Sequence, residues 1–230
     1  MAGSGTYAFA PSIADLMLNA FGRIQIRRTE LTQQHLADAA NEANFVQVEF
    51  SNRLPNLWLS ELYTVALSEG TASYNLLARL ISPMAVYLTI TDSGGNSTDR
   101  ILYPISTYEY AALPDKTIEG QPTSYWFNRQ TTPVMYLWPV PDGNATYTLK
   151  MQIISQPQDA TMPSGVTANI HYRWIDAFAA ALAARLAAIY KPELEAKRQA
   201  DAERAWQIAA NEDIEYTPMF VIPGLGSYYN

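Results

Sequence analysis

The chain has 230 residues, 48% of them apolar, with a formal net charge of −7 and no cysteine. That is enough apolar chain for one large domain or two small ones. It rules out a disulfide framework or a thiolate metal site, and the acidic balance argues against a free-standing nucleic-acid binder, which needs clustered Lys and Arg.

From the N-terminus, residues 1–11 read as a flexible arm without the basic stretch and apolar core of a signal peptide. Ser12 stands as an N-cap ahead of Ile13 and Asp15, and Ile13, Leu16, Met17, Ala20, Phe21 and Ile24 follow helical spacing. Thr32 is the next cap. The helix after it carries Leu36, Ala39, Ala43, Val46 and Phe50 on one stripe and ends near Pro55, because a proline disfavours helix in the residue before it. The result is a helical hairpin whose apolar faces need a partner.

From Leu57 the period changes to two, with Leu59, Glu61, Tyr63, Val65 and Leu67 on one face of a strand. Short apolar runs follow at 72–80, 85–91 and 100–105, punctuated by turn signals. Ser106 caps a single turn, 107–113. Between Gly120 and Gly143 lie two aromatic runs, with Tyr125, Trp126, Phe127, Tyr136 and Trp138 expected in a sheet core. Pro139–Gly143 reads as a turn. Beyond it Tyr147, Leu149, Met151 and Ile153 alternate with polar residues, which predicts a hairpin with one buried face. The region makes one β domain of six to eight strands.

Helix returns from Tyr172 to Tyr190, with Ile175, Phe178, Leu182, Leu186 and Ile189 as its stripe and alanines filling much of the rest. Its small residues suit it to pack on the N-terminal hairpin. No apolar run reaches the ~18–20 residues of a membrane span, Arg185 interrupting the nearest candidate. Residues 193–212 form a charged helix in which Glu193 and Glu195 belong to a solvated face. The fold class is α+β: a helical bundle of 12–56 and 170–212, an inserted antiparallel β-sandwich or barrel-like domain of 57–169, and an extended tail of 213–230. A soluble protein made in a reducing cytoplasm is expected.

No constellation of residues offers catalysis, and no cofactor or metal site is expected. His35 lacks the helical partner of a zinc site and reads as a surface or capping residue, while His171 is expected half-buried against Tyr172 or Trp174. Neither a phosphate-binding loop nor a nucleophile elbow is present. Arg23, Arg27 and Arg28 form the one basic cluster, read as helix-end partners rather than a phosphate clamp.

Several segments in order resemble the head-to-tail adaptors of short-tailed bacteriophages, the group of the tail tubular protein A family. They are Trp58-Leu59, the run Leu67–Tyr74 with its G-T-x-x-Y turn, Pro104-Ile105-Ser106 with Glu109-Tyr110, Gly120–Thr123, Tyr125–Arg129 and Leu137–Asp142. The match extends over roughly residues 12–190. The resemblance implies a non-enzymatic virion protein in the neck, a ring of usually twelve identical subunits mounted under the portal. Its lumen would pass double-stranded DNA without binding it tightly, and its far side would receive the nozzle or tail-tube protein and fibres. An acidic wall suits such a conduit.

Two alternatives stay open. One is a monomeric β-rich carbohydrate- or receptor-binding module with Trp58, Trp126 and Trp138 as a stacking platform; the other is a stopper or tail-completion protein of a long-tailed phage. In the adaptor reading the tail docks on the portal or a neighbouring subunit through Tyr216, Met219, Phe220, Val221, Ile222, Leu225 and Tyr228. Pro218, Pro223 and Gly226 forbid the helix that would fold these groups away, so an extended peptide on a partner's surface satisfies the sequence. A strap over the chain's own β domain is the competing reading.

Overall fold

A computed structural model of the chain describes residues 9–54, 57–161 and 168–212. It is α+β and separates into two units, one holding 9–42 and 172–212, the other 43–161 and 168–171.

In the first unit, α1 (Ile13–Arg23) starts on a reciprocal cap: the Asp15 N–H donates to Ser12 Oγ at 3.1 Å and the Ser12 N–H donates to the Asp15 carboxylate at 3.2 Å. Two orphan amides of the first turn are thereby satisfied. Leu16, Met17, Ala20 and Phe21 are buried along one face. Gln25 closes the helix in the left-handed region, φ +63°, while the Ile26 N–H reaches back to Phe21 O. That conformation returns Ile24 and Ile26 to the core after the last turn.

Helix α2 (Gln33–Arg53) begins after Thr32 and runs through the division between the units, which falls at Glu42–Ala43 rather than near Pro55. Its stripe Ala39, Ala43, Val46 and Phe50 is buried, with Leu36 only half-buried.

Helices α4 (Ile175–Tyr190) and α5 (Pro192–Glu212) complete this unit; α3 (Thr107–Ala112) belongs to the second. As expected α4 packs on the N-terminal helices, on α1 and through Arg185 on Glu42 of α2, and it also packs extensively on α5. Six buried alanines along α4, Ala177, Ala179, Ala180, Ala183, Ala184 and Ala187, let neighbouring backbone approach closely. At one end, Trp174 sets its ring edge-on to Trp206 of α5, centroids 6.3 Å apart.

Ile189, expected in the stripe, is 48% exposed. Four residues after Leu186 the same face is taken by Tyr190, whose hydroxyl donates to the Asp38 carboxylate and whose ring lies 4.5 Å from His35. The period of 3.6 places i+4 nearer the original face than a stripe ending at i+3 assumes.

The second unit is a sandwich. One sheet has the order β1 (Ser60–Ala66), β10 (Thr146–Ser155), β3 (Leu80–Thr91), β4 (Ser97–Ile101), all antiparallel. The other has the order β2 (Ser73–Asn75), β8 (Val134–Trp138), β7 (Ser124–Asn128), β5 (Tyr103–Pro104), in which β5 runs parallel to β7. A small parallel pair joins β6 (Glu119–Gly120) to β9 (Val140–Pro141). Among the described residues there are thus ten strands, more than the six to eight expected, because several are only two or three residues long.

The inner faces of the two large sheets share one cluster. Leu149, Met151 and Ile153 of β10 meet Leu88 of β3 and Met135 and Leu137 of β8, all fully buried. Each contributes about 1.5–3 kcal/mol relative to leaving it in water. Tyr63, Val65 and Leu67 pack against the same cluster from the β1 side, as the period of two requires.

The hairpin expected across Pro139–Gly143 does not form. β8 pairs with β7 and β2, whereas β10 pairs with β1 and β3. Pro139 and Pro141 have no N–H to give a hairpin ladder, and β9 is held instead by β6 and by the Gly70 N–H, which donates to Pro141 O at 3.0 Å. The segment is a corner that carries the chain from one sheet to the other; its Trp138–Pro139 peptide is cis.

Candidate interaction surfaces

The β7–β8 hairpin alternates, and only two of its five aromatics enter the sandwich core. Tyr125 is buried and Phe127 packs on the core. Trp126, Tyr136 and Trp138 face the other way, each half-buried. There they are covered by α3 (Thr107–Ala112), whose capping box pairs Ser106 with Glu109 and brings Tyr110 over the sheet.

Trp126 clusters with Tyr110 and Tyr136, its centroid 5.0 and 4.8 Å from theirs and theirs 5.4 Å apart, and its Nε1–H donates to Thr107 Oγ1. The Trp138 Nε1–H donates to Asp115 O. Lys116 caps the end of α3 through Ala111 O and Leu113 O, with its ammonium 5.7 Å from the Tyr110 ring. Glu109 is held below the usual carboxylate range, first by the Ser106 backbone N–H and then by its hydroxyl. The Trp126 indole is thus half-buried, held by neighbouring rings and by its hydrogen bond.

The G-T-x-x-Y turn also has a physical role. The Ser68 N–H donates to the Tyr74 hydroxyl at 3.0 Å, and that hydroxyl donates to Ser68 O at 3.1 Å. Gly70 sits at φ +69°, a backbone conformation that a side chain would strain. Nearby, the Tyr147 hydroxyl donates to Asp142 Oδ1 at 2.7 Å, and Asn144 donates to the same carboxylate from its backbone and its amide. Burial, reinforced by the carboxylate, pushes the Tyr147 phenol up to about 12. The Tyr147 bond, ahead of those from Asn144, holds Asp142 below the usual range. Motif and corner are therefore scaffolding for the sandwich.

His35 is a capping residue: its Nδ1 lies 2.7 Å from Thr32 Oγ1, and its own N–H donates back to that hydroxyl at 3.3 Å. His171 is exposed rather than half-buried, and its ring lies 6.4 Å from Trp58. Arg23 bridges α1 to α4, Nη2 to Asp176 Oδ1 at 2.6 Å, with Nε donating to Asn19. With Arg28, Phe9 and Tyr172 it lines a cleft of about 840 Å³.

Among the described residues no three His, Asp or Glu side chains converge as a metal site, and no helix is long and apolar enough to cross a membrane. The tail residues Tyr216, Met219, Phe220, Val221, Ile222, Leu225 and Tyr228 lie outside the described residues.

What the sequence did not reveal is the open end of the sandwich. In the run 100–105 only Leu102 enters the core, at 2% exposure, while Ile101 and Tyr103 are each 67% exposed. A short apolar run looks the same whether its alternate members face a core or water. With Met84, 47% exposed, they line a cleft of about 520 Å³ that reaches in to Val86 and Tyr125. β4 is the edge strand there and is exposed along its whole length.

A search of curated proteins gives no match. A family model, SU10 adaptor protein, matches residues 10–219, well beyond the 12–190 of the resemblance and including all of α5. The match takes in both units, so the chain belongs to the SU10 adaptor protein family, the phage head–tail adaptors, and is a structural protein of that kind.

Proposed function

We propose that the protein forms a ring of identical subunits, usually twelve, seated between the portal and the tail nozzle or tube, with double-stranded DNA passing through its lumen. It is assembled in the host cytoplasm and resides in the virion neck. The observation that carries this reading is the family match over residues 10–219. The net charge of −7 per subunit is compatible with it, since a wall that neutralised phosphates would hold DNA by counterion release. The protein acts by holding partners, not by chemistry on a substrate.

Acidic subunits repel one another, so the ring forms on the portal, where multivalent contacts raise the effective concentration. The tail, residues 213–230, docks on a partner as an extended peptide. Tail fibres attach on the far side where the phage has them. The experiment is to mix purified protein with purified portal and follow assembly by light scattering and electron microscopy, with and without residues 213–230. Deleting the tail should leave the melting temperature unchanged and abolish portal binding and stable filled heads. A full-length chain that never associates with portal would overturn the adaptor reading. A stable dodecamer without portal would overturn the templating alone, and a large fall in melting temperature on deletion would mark the tail as an intramolecular strap.

A further inference from the structure

The backbone of β4 has a definite polarity. The Leu102 N–H donates to Val86 O and the Asp92 N–H donates to Asn96 O, in register with the pairs Arg100↔Leu88 and Thr98↔Ile90. Antiparallel ladders alternate, so the N–H and C=O groups of Asn96, Thr98, Arg100 and Leu102 turn toward β3. Those of Ser97, Asp99 and Ile101 turn out of the sheet edge, beyond which no strand follows among the described residues. Such an edge is a template for another strand unless something covers it. Beside it lies the cleft of Met84, Ile101 and Tyr103, apolar groups that pay no part in the sandwich core.

The same chain carries a segment of matching size. Pro218 and Pro223 bracket Met219-Phe220-Val221-Ile222, four residues of high strand propensity. Proline is tolerated at strand ends and not within, so the brackets limit this strand to about 13 Å at ~3.3 Å per residue. β4 has five residues. Asp213 and Glu215, just upstream, are acidic, and β4 presents the exposed cation Arg100.

We propose that the outward edge of β4 and the cleft beside it receive residues 218–223 of a second copy of this chain as an added strand. Main-chain hydrogen bonds to Asp99 and Ile101 supply affinity, and alternate side chains of the incoming strand fill the cleft over Met84 and Tyr103. A tail of one subunit on the edge of the next is a heterologous contact, which closes into a ring when the rotation between subunits allows. The inference rests on the ring reading and names the neighbouring subunit as the tail's seat, so that deleting the tail costs portal binding by removing the ring's multivalent contacts.

The absence of cysteine provides the test. Full-length Val221→Cys is mixed with full-length Ile101→Cys, or with Tyr103→Cys as a second exposed position, and oxidised mildly at high protein concentration. The control partner is Leu62→Cys, 55% exposed on β1 at the opposite edge. Docking raises effective concentration at the seat, so the mixed disulfide at 101 or 103 should exceed the control by about tenfold or more. Yields no higher than with Leu62→Cys overturn the proposal. So does an intrachain disulfide in a chain carrying both Ile101→Cys and Val221→Cys at high dilution, which would make the tail a strap. Portal binding by the same variants is scored separately: loss of trapping with portal binding intact removes this inference and leaves the adaptor reading standing.

Discussion

Replacing Tyr147 by Phe removes one oxygen from the corner that joins the two sheets. The ring is 5% exposed and stays in place, so no cavity opens. What is lost is the 2.7 Å bond to Asp142. A hydrogen bond to a charged group contributes about 1.5–3 kcal/mol, but the carboxylate is open to water and keeps its bonds from Asn144. Solvent screening therefore reduces this to about 1–1.5 kcal/mol. For a chain of this length that corresponds to a fall of roughly 2–6 °C in melting temperature.

The pH dependence follows from the depressed Asp142 carboxyl. Its contribution is fully present above the ordinary unfolded carboxylate value near ~3.9, and it is lost as pH falls through the lower folded value. The difference between wild type and Tyr147→Phe should thus be largest at neutral pH and shrink toward pH ~2–3. In the variant Asp142 should titrate closer to an ordinary carboxylate. Calorimetry across pH, with carboxyl titration by NMR, measures both. A destabilisation equally large at low pH, or none at neutral pH, refutes the assignment of this bond to the corner.

Three further substitutions probe the scaffold. Leu149→Ala, at the centre of the fully buried face of β10, should cost about 3–4 kcal/mol in chemical denaturation, because the close-packed sheets cannot collapse into the void. Gly70→Ala places a side chain at φ +69° and should cost about 1 kcal/mol, read as a lower denaturation midpoint with unchanged slope. His35→Ala removes the Nδ1 half of the reciprocal cap, its bonds with the Thr32 N–H and hydroxyl, keeps the backbone bond to Thr32 Oγ1, and should lower stability by about 1 kcal/mol, while His35→Gln, which restores a capping box, should recover most of it; phage infectivity should survive both.

Local signals foretold local structure. Ser12, Thr32 and Ser106 mark their helix starts because a cap is a bond between neighbours in sequence, legible wherever a short hydroxyl precedes an apolar stripe. The alternation of β10 likewise determined its buried face, since the period of two leaves Tyr147, Leu149, Met151 and Ile153 no other arrangement. The helix-to-strand-to-helix order and the chain's lack of cysteine needed only the sequence.

Pairing was decided by the tertiary structure, because hydrogen bonds between strands carry no signature in either strand alone. Pro139–Gly143 reads as a hairpin turn, yet Gly70 and β6 hold it as a corner between sheets. Trp126 and Tyr125 are neighbours of similar character, and only the docking of α3 over one face separated an outer aromatic layer from the core. Ile189 lost its place to Tyr190 because Asp38 and His35 of α2 offered the hydroxyl and the ring their partners. Ile101 and Leu102 lie side by side in one apolar run; the sequence determined that the run was apolar, and the ending of the sheet at β4 put Leu102 in the core and left Ile101 in water.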